Sequence, residues 1–314
     1  MSPRIRRPFS LLLMASAGSC LILLPGSSEA AATAPQPDGP ATYTASTPTT
    51  AAPARHKRHR RPRRAPAGGV YSRNAIVVDP ETGKVLFEKN ASVSVPIASL
   101  TKLMTDIVFL GTKQDLDRTH TVTRDELTGM GRTQLWTREV ISLRDLLHMS
   151  LMCSDNAATR ILARESGLSE EDFLAQMNRK AVELGMTGSR YVEFTGLDDR
   201  NVSTAADCAV VLRHAASQPI VRDIMTQRSY EFRTNRRSHF IANTNRLLYG
   251  RYEVRGGKTG HIAEAGYCLA TWINAQGHEL IAVVLGAPTN ATRFADVSRL
   301  VNLSLTQPAV ATTN

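Results

Sequence analysis

Residues 96–111 read PIASLTKLMTDIVFLG, and within this stretch the chain changes from the hydrophobic period of a strand to that of a helix. Apolar side chains recur at helical spacing at Leu100, Leu103, Met104, Ile107 and Val108. Gly111 then provides a typical helix stop. The stretch therefore predicts a helix with one buried face, and Ser99 lies in its first turn.

Outside this stretch, strand patterns come first and helical patterns follow. Residues 72–78 and 84–87 are β-rich runs joined by a short turn at 79–83, which predicts a hairpin. Residues 97–187 have a helical character throughout. Capping patterns and apolar periodicity predict further helices at residues 143–153, 156–165 and 170–185, and one more at 204–217.

The C-terminal third of the chain returns to strand patterns. Strands are predicted at residues 229–234, 238–244, 258–273 and 280–286, and a closing helix is predicted at 291–305. Residues 274–277 should form the hairpin loop between the last two strands. Strands from both chain ends around a helical block imply a mixed α/β (α+β) fold, in which helices pack on an antiparallel sheet.

The N-terminal segment carries most of the charge. Residues 1–30 combine arginines, an apolar run and a small-residue end, the pattern of a secretory signal peptide. Residues 31–69 are rich in Ala, Pro and Thr and contain the basic run RHKRHRRPRR at 55–64, which predicts a disordered linker. Of the net charge of +10, residues 1–64 hold +8, ten Lys and Arg against two acidic residues.

This arrangement predicts export to the periplasm or cell envelope. Export separates the basic run at 55–64 from nucleic acid, so no nucleic-acid partner is expected. An anionic wall polymer or an anionic lipid would fit its charge, and a solvated tail without a partner is the open alternative.

The rest of the chain is long enough for one folded domain, expected at residues 70–308 and followed by a short tail at 309–314. Three cysteines follow the predicted signal peptide, namely Cys153, Cys208 and Cys268. Their odd number argues against a disulfide scaffold. None has the spacing of a zinc ligand set, so neither a metal nor another cofactor is expected. The role of the three thiols stays open.

Ser99 and Lys102 place a hydroxyl and an amine one helical turn apart, on the same face of the predicted helix. A serine hydroxyl becomes an effective nucleophile only when a base lies beside it. Lys102 can be that base if burial lowers its pKa. Taken alone, the spacing also fits an exposed lysine on a helix that begins with a serine.

Ser154-Asp155-Asn156 lies between two predicted helices, where a short loop can present side chains to a cleft. Ser154 offers a second hydroxyl for moving a proton, and the Asn156 amide can hold a peptide carbonyl. All three residue types are also common helix caps, which is the structural alternative.

Lys258-Thr259-Gly260 occurs once, at the start of the strand predicted at 258–273. The cation and the hydroxyl suit a substrate carboxylate, and Gly260 would let a substrate backbone approach the strand edge. The alternative is an edge-strand lysine that discourages aggregation.

Together the motifs form the trio Ser-x-x-Lys, Ser-x-Asn and Lys-Thr-Gly, which occurs in penicillin-binding proteins and class A β-lactamases. The sequence resembles the low-molecular-mass penicillin-binding proteins of the D-alanyl-D-alanine carboxypeptidase and endopeptidase type over nearly all of residues 71–305. The resemblance is carried by residues 96–105, 153–158, 195–197 and 258–267. Because the chain ends soon after its last strand, it looks most like the short endopeptidase branch.

The resemblance implies a β-lactamase/transpeptidase-like fold and a role for each motif. Ser99 would be the acyl-ester nucleophile, Lys102 its base, and Ser154 a proton relay. The residues implied to bind the substrate are Asn156, Lys258, Thr259, Gly260 and His261. The backbone N–H groups of Ser99 and His261 would form the oxyanion hole. The implied substrate is a peptidoglycan peptide, and the implied covalent inhibitors are β-lactams.

Two alternatives come from the same residues. A serine β-lactamase would need the pattern Glu-x-x-Leu-Asn for deacylation, whereas Glu193 to Asp198 has the wrong spacing and ends in Asp. A non-catalytic wall-binding protein would use only the basic linker, but the complete trio argues against it. The motifs do not distinguish carboxypeptidase from endopeptidase activity.

Overall fold

The computed structural model describes residues 69–306. The signal peptide predicted at 1–30, nearly all of the linker at 31–69 and the tail at 309–314 lie outside the described residues. Among the helices of the described part, none combines the length and the hydropathy that crossing a bilayer requires.

The elements of the described residues follow one another as a strand pair, a helical block with short hairpins, and a strand-rich C-terminal part. The strands are β1 (Asn74–Val78), β2 (Val85–Lys89), β3 (Val95–Pro96), β4 (Thr119–Thr121), β5 (Val140–Ser142), β6 (Val202–Ser203), β7 (Ser229–Arg233), β8 (Ser238–Ala242), β9 (Glu253–Ile262), β10 (Gly266–Ala275) and β11 (His278–Ala287). The helices are α1 (Thr101–Gly111), α2 (Arg124–Leu127), α3 (Leu143–His148), α4 (Asn156–Glu165), α5 (Glu170–Glu183), α6 (Ala205–Ser217), α7 (Pro219–Thr226) and α8 (Asn290–Thr306).

A five-stranded antiparallel sheet of order β2-β1-β11-β10-β9 forms the centre of the fold. The first strand pairs with the last, with Ala75 opposite Val284, so both chain ends build one sheet. This confirms the predicted mixed fold with an antiparallel sheet from both ends. The turn between β10 and β11 contains Gln276 and Gly277 at positive φ, as a tight hairpin requires.

The central sheet is buried on both faces. In β11, Ile281 and Val283 belong to the core shared with α1 and α6. Their neighbours Ala282 and Val284 belong to the core shared with α8. Because successive strand residues point to opposite faces, a strand covered on both sides is apolar at every position. This explains the continuous apolar run of β11 and places the helical block on one face of the sheet.

The strand predicted at 258–273 is wrong in two respects. The chain turns at residues 263–265, so the stretch forms two antiparallel strands, and Gly266 supplies the positive φ at the turn. Lys258 lies in the middle of β9 rather than at a strand start. The strand propensity is high on both sides of the turn, so the local pattern does not mark the reversal.

The helical block is also less regular than predicted for residues 97–187. The strands β4 and β5 pair as a small antiparallel ladder, and an irregular loop separates α2 from β5. Conversely, α7 was not predicted, because Pro219 looked like the end of the preceding helix. Proline fits the first turn of a helix, and Pro219 is the first residue of α7.

Candidate active site

Ser99 lies in a single 3₁₀ turn, Ala98–Leu100, that leads directly into α1. The preceding Ala98 is fully buried at φ +48°, a conformation that is costly for a residue with a side chain. Thr101 fixes this turn by donating its hydroxyl to the Ala98 carbonyl at 2.8 Å. The strained turn orients Ser99. The prediction placed Ser99 in the first turn of the helix, whereas the structure places it in the 3₁₀ turn just before α1.

Lys102 is completely buried beneath Ser99. Its Nζ lies 3.1 Å from Ser99 Oγ, 2.7 Å from Asn156 Oδ1 and 2.6 Å from the Thr195 carbonyl oxygen. Burial lowers the pKa of the amine to about 8, and nearby carboxylates partly oppose this effect. These carboxylates belong to Glu193, Asp106 and Asp155. A fraction of the amine is therefore neutral near physiological pH and can accept a proton.

The segment around Glu193 positions the Thr195 carbonyl for Lys102. Glu193 accepts hydrogen bonds from the Thr195 N–H and hydroxyl, both at 2.7 Å, and from the Gly196 N–H and the Asn201 amide. Gly196 has φ +83°, and a Cβ there would lie 2.0 Å from the Ala98 carbonyl oxygen. The sequence analysis noted Thr195-Gly196-Leu197 but assigned Glu193 no role in positioning this segment. The four groups that donate to Glu193 have no recognisable spacing in the sequence.

The second motif occupies the junction between two helices, as predicted. Helix α3 continues as a π-helical turn, Met149–Cys153, and ends at Ser154 in the left-handed region with φ +63°. Asp155 then caps α4 by accepting the Ala158 N–H at 3.0 Å. Within this motif, Asp155 is a helix cap, while Ser154 and Asn156 line the cleft. A non-glycine residue at positive φ costs free energy and is often found at functional sites.

The third motif forms the opposite wall of the cleft. Lys258 is buried, and its Nζ donates to Ser154 Oγ at 2.7 Å and to the Thr259 carbonyl at 3.1 Å. Burial lowers the pKa of Lys258 well below its usual value, and the charge of Lys102 adds to this effect. Thr259 shares a hydroxyl hydrogen bond of 2.7 Å with Thr244. Thr244 was not predicted.

Gly260 makes a close contact that the sequence did not predict. A Cβ at this position would lie 2.9 Å from the Ser99 backbone nitrogen and 3.0 Å from the Ile97 carbonyl oxygen. The missing side chain therefore lets β9 approach the turn that carries Ser99; that Gly260 also lets a substrate backbone approach stays a prediction. His261 follows on the exposed side and stacks on Tyr267, with ring centroids 4.0 Å apart.

One cavity collects the predicted residues. It is lined by Ser99, Ser154, Asn156, Leu197, Thr259, Gly260, His261 and Arg293. Lys102 and Lys258 lie behind the lining and contact Ser99 and Ser154 directly. The structure thus brings all eight predicted site residues together, although they come from three distant parts of the chain.

Arg293 is a lining residue that sequence reasoning missed. This buried arginine of α8 donates to the carbonyl groups of Gly260 at 3.0 Å and Cys268 at 3.1 Å. Its guanidinium thereby links α8 to β9, which contains Gly260, and to β10, which contains Cys268. Nothing in the helix pattern of residues 290–306 separates it from a surface arginine.

The three cysteines of the described residues are free thiols. Cys153 adjoins the cavity residue Ser154, but burial raises the pKa of its thiol to about 12, so it is not ionised at neutral pH. Burial has the same effect on Cys208, with a pKa of about 12, and on Cys268, with about 11. Within residues 69–306, no three His, Cys, Asp or Glu side chains are grouped so that they could hold a metal ion.

Two proteins of known name are similar to this chain over about three quarters of its length. A D-alanyl-D-alanine endopeptidase of Pseudomonas aeruginosa is 37% identical over 236 residues, which are 73% of this chain and 76% of that protein. A D-alanyl-D-alanine endopeptidase of Escherichia coli is 34% identical over 236 residues, covering 74% of this chain and 76% of that protein.

Solved structures of similar proteins identify the fold. A variant of a Streptomyces DD-transpeptidase has a TM-score of 0.72 at 25% identity, covering 76% of this chain and 99% of that one. A D-alanyl-D-alanine carboxypeptidase from Mycobacterium tuberculosis has a TM-score of 0.71 at 25% identity, covering 78% and 95%. The family described as D-alanyl-D-alanine carboxypeptidase matches residues 61–289. The chain therefore belongs to this family of serine-type hydrolases and has the fold of the penicillin-binding proteins.

Proposed function

We propose that this protein is an exported peptidase that cleaves D-alanyl-D-alanine peptides of peptidoglycan through an acyl-enzyme on Ser99, and that penicillin acylates the same residue. The observation that carries the proposal is the environment of Lys102, whose amine lies 3.1 Å from Ser99 Oγ in a buried site. A lysine with a pKa of about 8 can serve as a general base near neutral pH.

The three acceptors around Lys102 satisfy its charged ammonium in the resting site, and burial is what favours the neutral amine that the reaction needs. A neutral amine has two N–H donors and one lone pair. Asn156 Oδ1 and the Thr195 carbonyl can only accept, so they take the two donors. The lone pair is then left for the hydroxyl proton of Ser99. This geometry orients Ser99 Oγ as a nucleophile without any further group.

In the proposed reaction, Ser99 Oγ attacks the carbonyl carbon of a D-Ala residue while its proton passes to Lys102. The C–N bond then breaks, and the departing amine takes up the proton that Lys102 gained, relayed through Ser154, which leaves Lys102 neutral again; Lys258 donates to Ser154 Oγ at 2.7 Å. Water next attacks the acyl ester while its proton passes to Lys102; the acyl C–Oγ bond breaks, and Lys102 returns the proton to Ser99 Oγ. The products are a shortened peptide acid and a D-amino compound.

Substrate contacts follow from the groups left free. Asn156 Nδ2 donates one hydrogen to the Met130 carbonyl at 3.0 Å, which leaves its second hydrogen for a substrate carbonyl. Lys258 and Thr259 would receive the terminal carboxylate. The backbone N–H groups of Ser99 and His261 would hold the oxyanion, a contact typically worth about 3 kcal/mol per donor.

A β-lactamase is less compatible with this site. Among the described residues that line the cavity, none is a carboxylate that could activate a deacylating water. The nearest candidate in sequence, Glu193, has its oxygens occupied by four donors of its own segment. A penicilloyl ester on Ser99 should therefore persist rather than turn over quickly.

The test is mass spectrometry of the whole protein after incubation with penicillin, with Ser99→Ala as the matched variant. We expect one adduct that maps to Ser99 and is absent from the variant. A folded wild-type protein that gains no adduct, or a variant that keeps its hydrolytic rate, would refute the proposal. Digestion of cross-linked and of linear muropeptides then measures endopeptidase and carboxypeptidase activity separately.

Export is tested on the same protein. If residues 1–30 are a signal peptide, the N-terminus of the protein recovered from the cell envelope should begin near residue 31. Recovery of the uncut chain from the cytoplasm alone would contradict this.

A further inference from the structure

A loop leads from the cavity to an exposed tryptophan. The Met130 carbonyl accepts the Asn156 amide at 3.0 Å, and the Thr133 hydroxyl donates to Asp155 at 2.8 Å. Shortly beyond these contacts the loop presents Trp136, whose exposed fraction is 56%. The chain contains two tryptophans, and leaving one this exposed gives up much of the burial free energy that such a side chain offers.

The tip of the β7–β8 hairpin holds this loop in place. Thr234 donates its hydroxyl to Glu139 at 2.6 Å, and His239 lies 2.6 Å from the same carboxylate with both side chains buried. Asn235 accepts the Val140 N–H at 2.8 Å. Buried polar contacts of this kind make the surface preformed, so a ligand would not have to order it.

The joined segments are strongly basic. Residues 132–138 and 233–240 contain five arginines and no acidic residue, whereas residues 65–314 as a whole carry only +2. The Arg237 guanidinium lies over the Trp136 ring at 4.8 Å from its centroid. Arg138 and Arg236 are exposed beside them. We call Trp136, Arg138, Arg236 and Arg237 the arginine-tryptophan surface.

We propose that the arginine-tryptophan surface is a subsite for polymeric peptidoglycan, beyond the peptide that is cut. The inference rests on the proposed function, since it assigns the same substrate a second contact region. Planar guanidinium groups match the carboxylates of acidic stem peptides, and an exposed indole offers a flat apolar face to a sugar ring. Trp136 lies two residues beyond Gln134, whose N–H contacts Asp155, so the surface is joined to the motif that lines the cavity.

This subsite acts on polymer and not on small ligands. A penicillin molecule or a short D-alanyl-D-alanine peptide fills only the cavity, so its reaction does not depend on Trp136. A glycan strand with its stem peptides reaches both regions and gains affinity from the second one. The predicted signature is therefore a raised KM for polymer with an unchanged rate of acylation by penicillin.

The experiment compares Trp136→Ala and the double variant Arg138→Gln, Arg236→Gln with wild type in the full chain. Tyr249→Ala is the matched control, because Tyr249 is 52% exposed and also has an arginine, Arg228, over its ring. Each protein is assayed for sedimentation with insoluble peptidoglycan, for KM with soluble glycan strands, and for penicillin acylation. Since all variants keep the basic run at 55–64, any attraction from it is the same in each.

We expect Trp136→Ala to weaken binding and raise KM about fivefold, the equivalent of roughly 1 kcal/mol for one aromatic contact. Tyr249→Ala should match wild type. Unchanged polymer binding in both surface variants would overturn the inference, as would an equal loss of penicillin acylation, which would show that the loop only shapes the cavity. Competition by a DNA oligonucleotide as strong as by glycan strands would also overturn it, because the surface would then select charge alone.

These outcomes are separate from a failure of the proposed function. If wild type forms no adduct with penicillin, the proposed function fails whatever the surface variants do. If wild type reacts and the surface variants bind polymer normally, only the subsite fails.

Discussion

The helical wall and the strand wall of the cleft each bury a lysine, yet they surround it differently. On the helical wall, Lys102 meets three acceptors, and three carboxylates raise its pKa against the effect of burial. On the strand wall, Lys258 meets the Ser154 hydroxyl and one carbonyl, and Asp106 is the carboxylate that acts on it. Burial lowers the pKa of Lys102 to about 8, and it lowers the pKa of Lys258 well below its usual value.

The difference shows how one residue type can take two tasks. Lys102 already has its partners, so it titrates near neutral pH and suits repeated proton transfer. Among carboxylates only Asp106 raises the pKa of Lys258, and an arriving substrate carboxylate would favour its charged form further. In the proposed mechanism, the helical wall therefore moves a proton and the strand wall receives an anion.

The largest effect is expected on the helical wall, from Lys102→Met. Methionine fills a similar volume without an amine, so Ser99 loses its base and acylation by penicillin should slow about 10² to 10⁴-fold. Stopped-flow labelling with a fluorescent penicillin measures the rate, and thermal unfolding checks that the variant is folded. A loss smaller than threefold in a folded variant would contradict the assignment.

Lys258→Met should have a smaller and more selective effect on the strand wall. A hydrogen bond to a charged group is worth about 1.5 to 3 kcal/mol, so kcat/KM for a peptide that ends in a carboxylate should fall about 10 to 100-fold. The same peptide with a terminal carboxamide should lose much less. Equal losses for both peptides would mean that Lys258 serves the chemistry and not the anion.

Asp106→Asn tests the electrostatic link between the walls. Burial raises the pKa of Asp106 to about 7, while Ser150 donates its hydroxyl to both oxygens at 3.0 Å. Above pH 7 the carboxylate is charged and favours protonated Lys102, which is the inactive form. Removing this charge lowers the pKa of Lys102, so the rising limb of acylation against pH should move to lower pH.

The rate of acylation by penicillin is measured from pH 5.5 to 9.5. At pH 7 we expect the variant to be acylated a few-fold faster than wild type. The exposed Asp125→Asn provides a control of the same chemistry. The groups that also face Lys102, namely Glu193, Asp155 and Cys153, stay unchanged in the variant. A limb that moves to higher pH would reverse the sign of the interaction and contradict it.

The smallest effect is expected from Cys153→Ala, at the end of the turn that carries Ser154. The thiol donates to the Met149 carbonyl at 3.3 Å, and with a pKa of about 12 it is not a nucleophile at neutral pH. Penicillin acylation should stay within about twofold of wild type, and iodoacetamide should leave the wild-type rate unchanged. Rapid inactivation by iodoacetamide that Cys153→Ala prevents would give this thiol a functional role.

The sequence by itself determined the local parts of both walls. Ser99 and Lys102 lie one helical turn apart, and α4 begins and ends where its cap and periodicity predicted. The mixed fold followed from strand patterns at both chain ends. These features depend on residues close in sequence, where spacing and propensity carry the information.

Only the tertiary structure decided the surroundings of those residues. The contact of the Thr195 carbonyl with Lys102 joins residues 93 positions apart. The contacts of Ser150 with Asp106 and of Arg293 with the Gly260 carbonyl join residues 44 and 33 positions apart. Propensity and spacing are local, whereas burial, the number of hydrogen-bond partners and the resulting pKa values depend on what packs around a group. The motifs could therefore be identified from the sequence, whereas the pKa values of their two lysines depend on the tertiary structure.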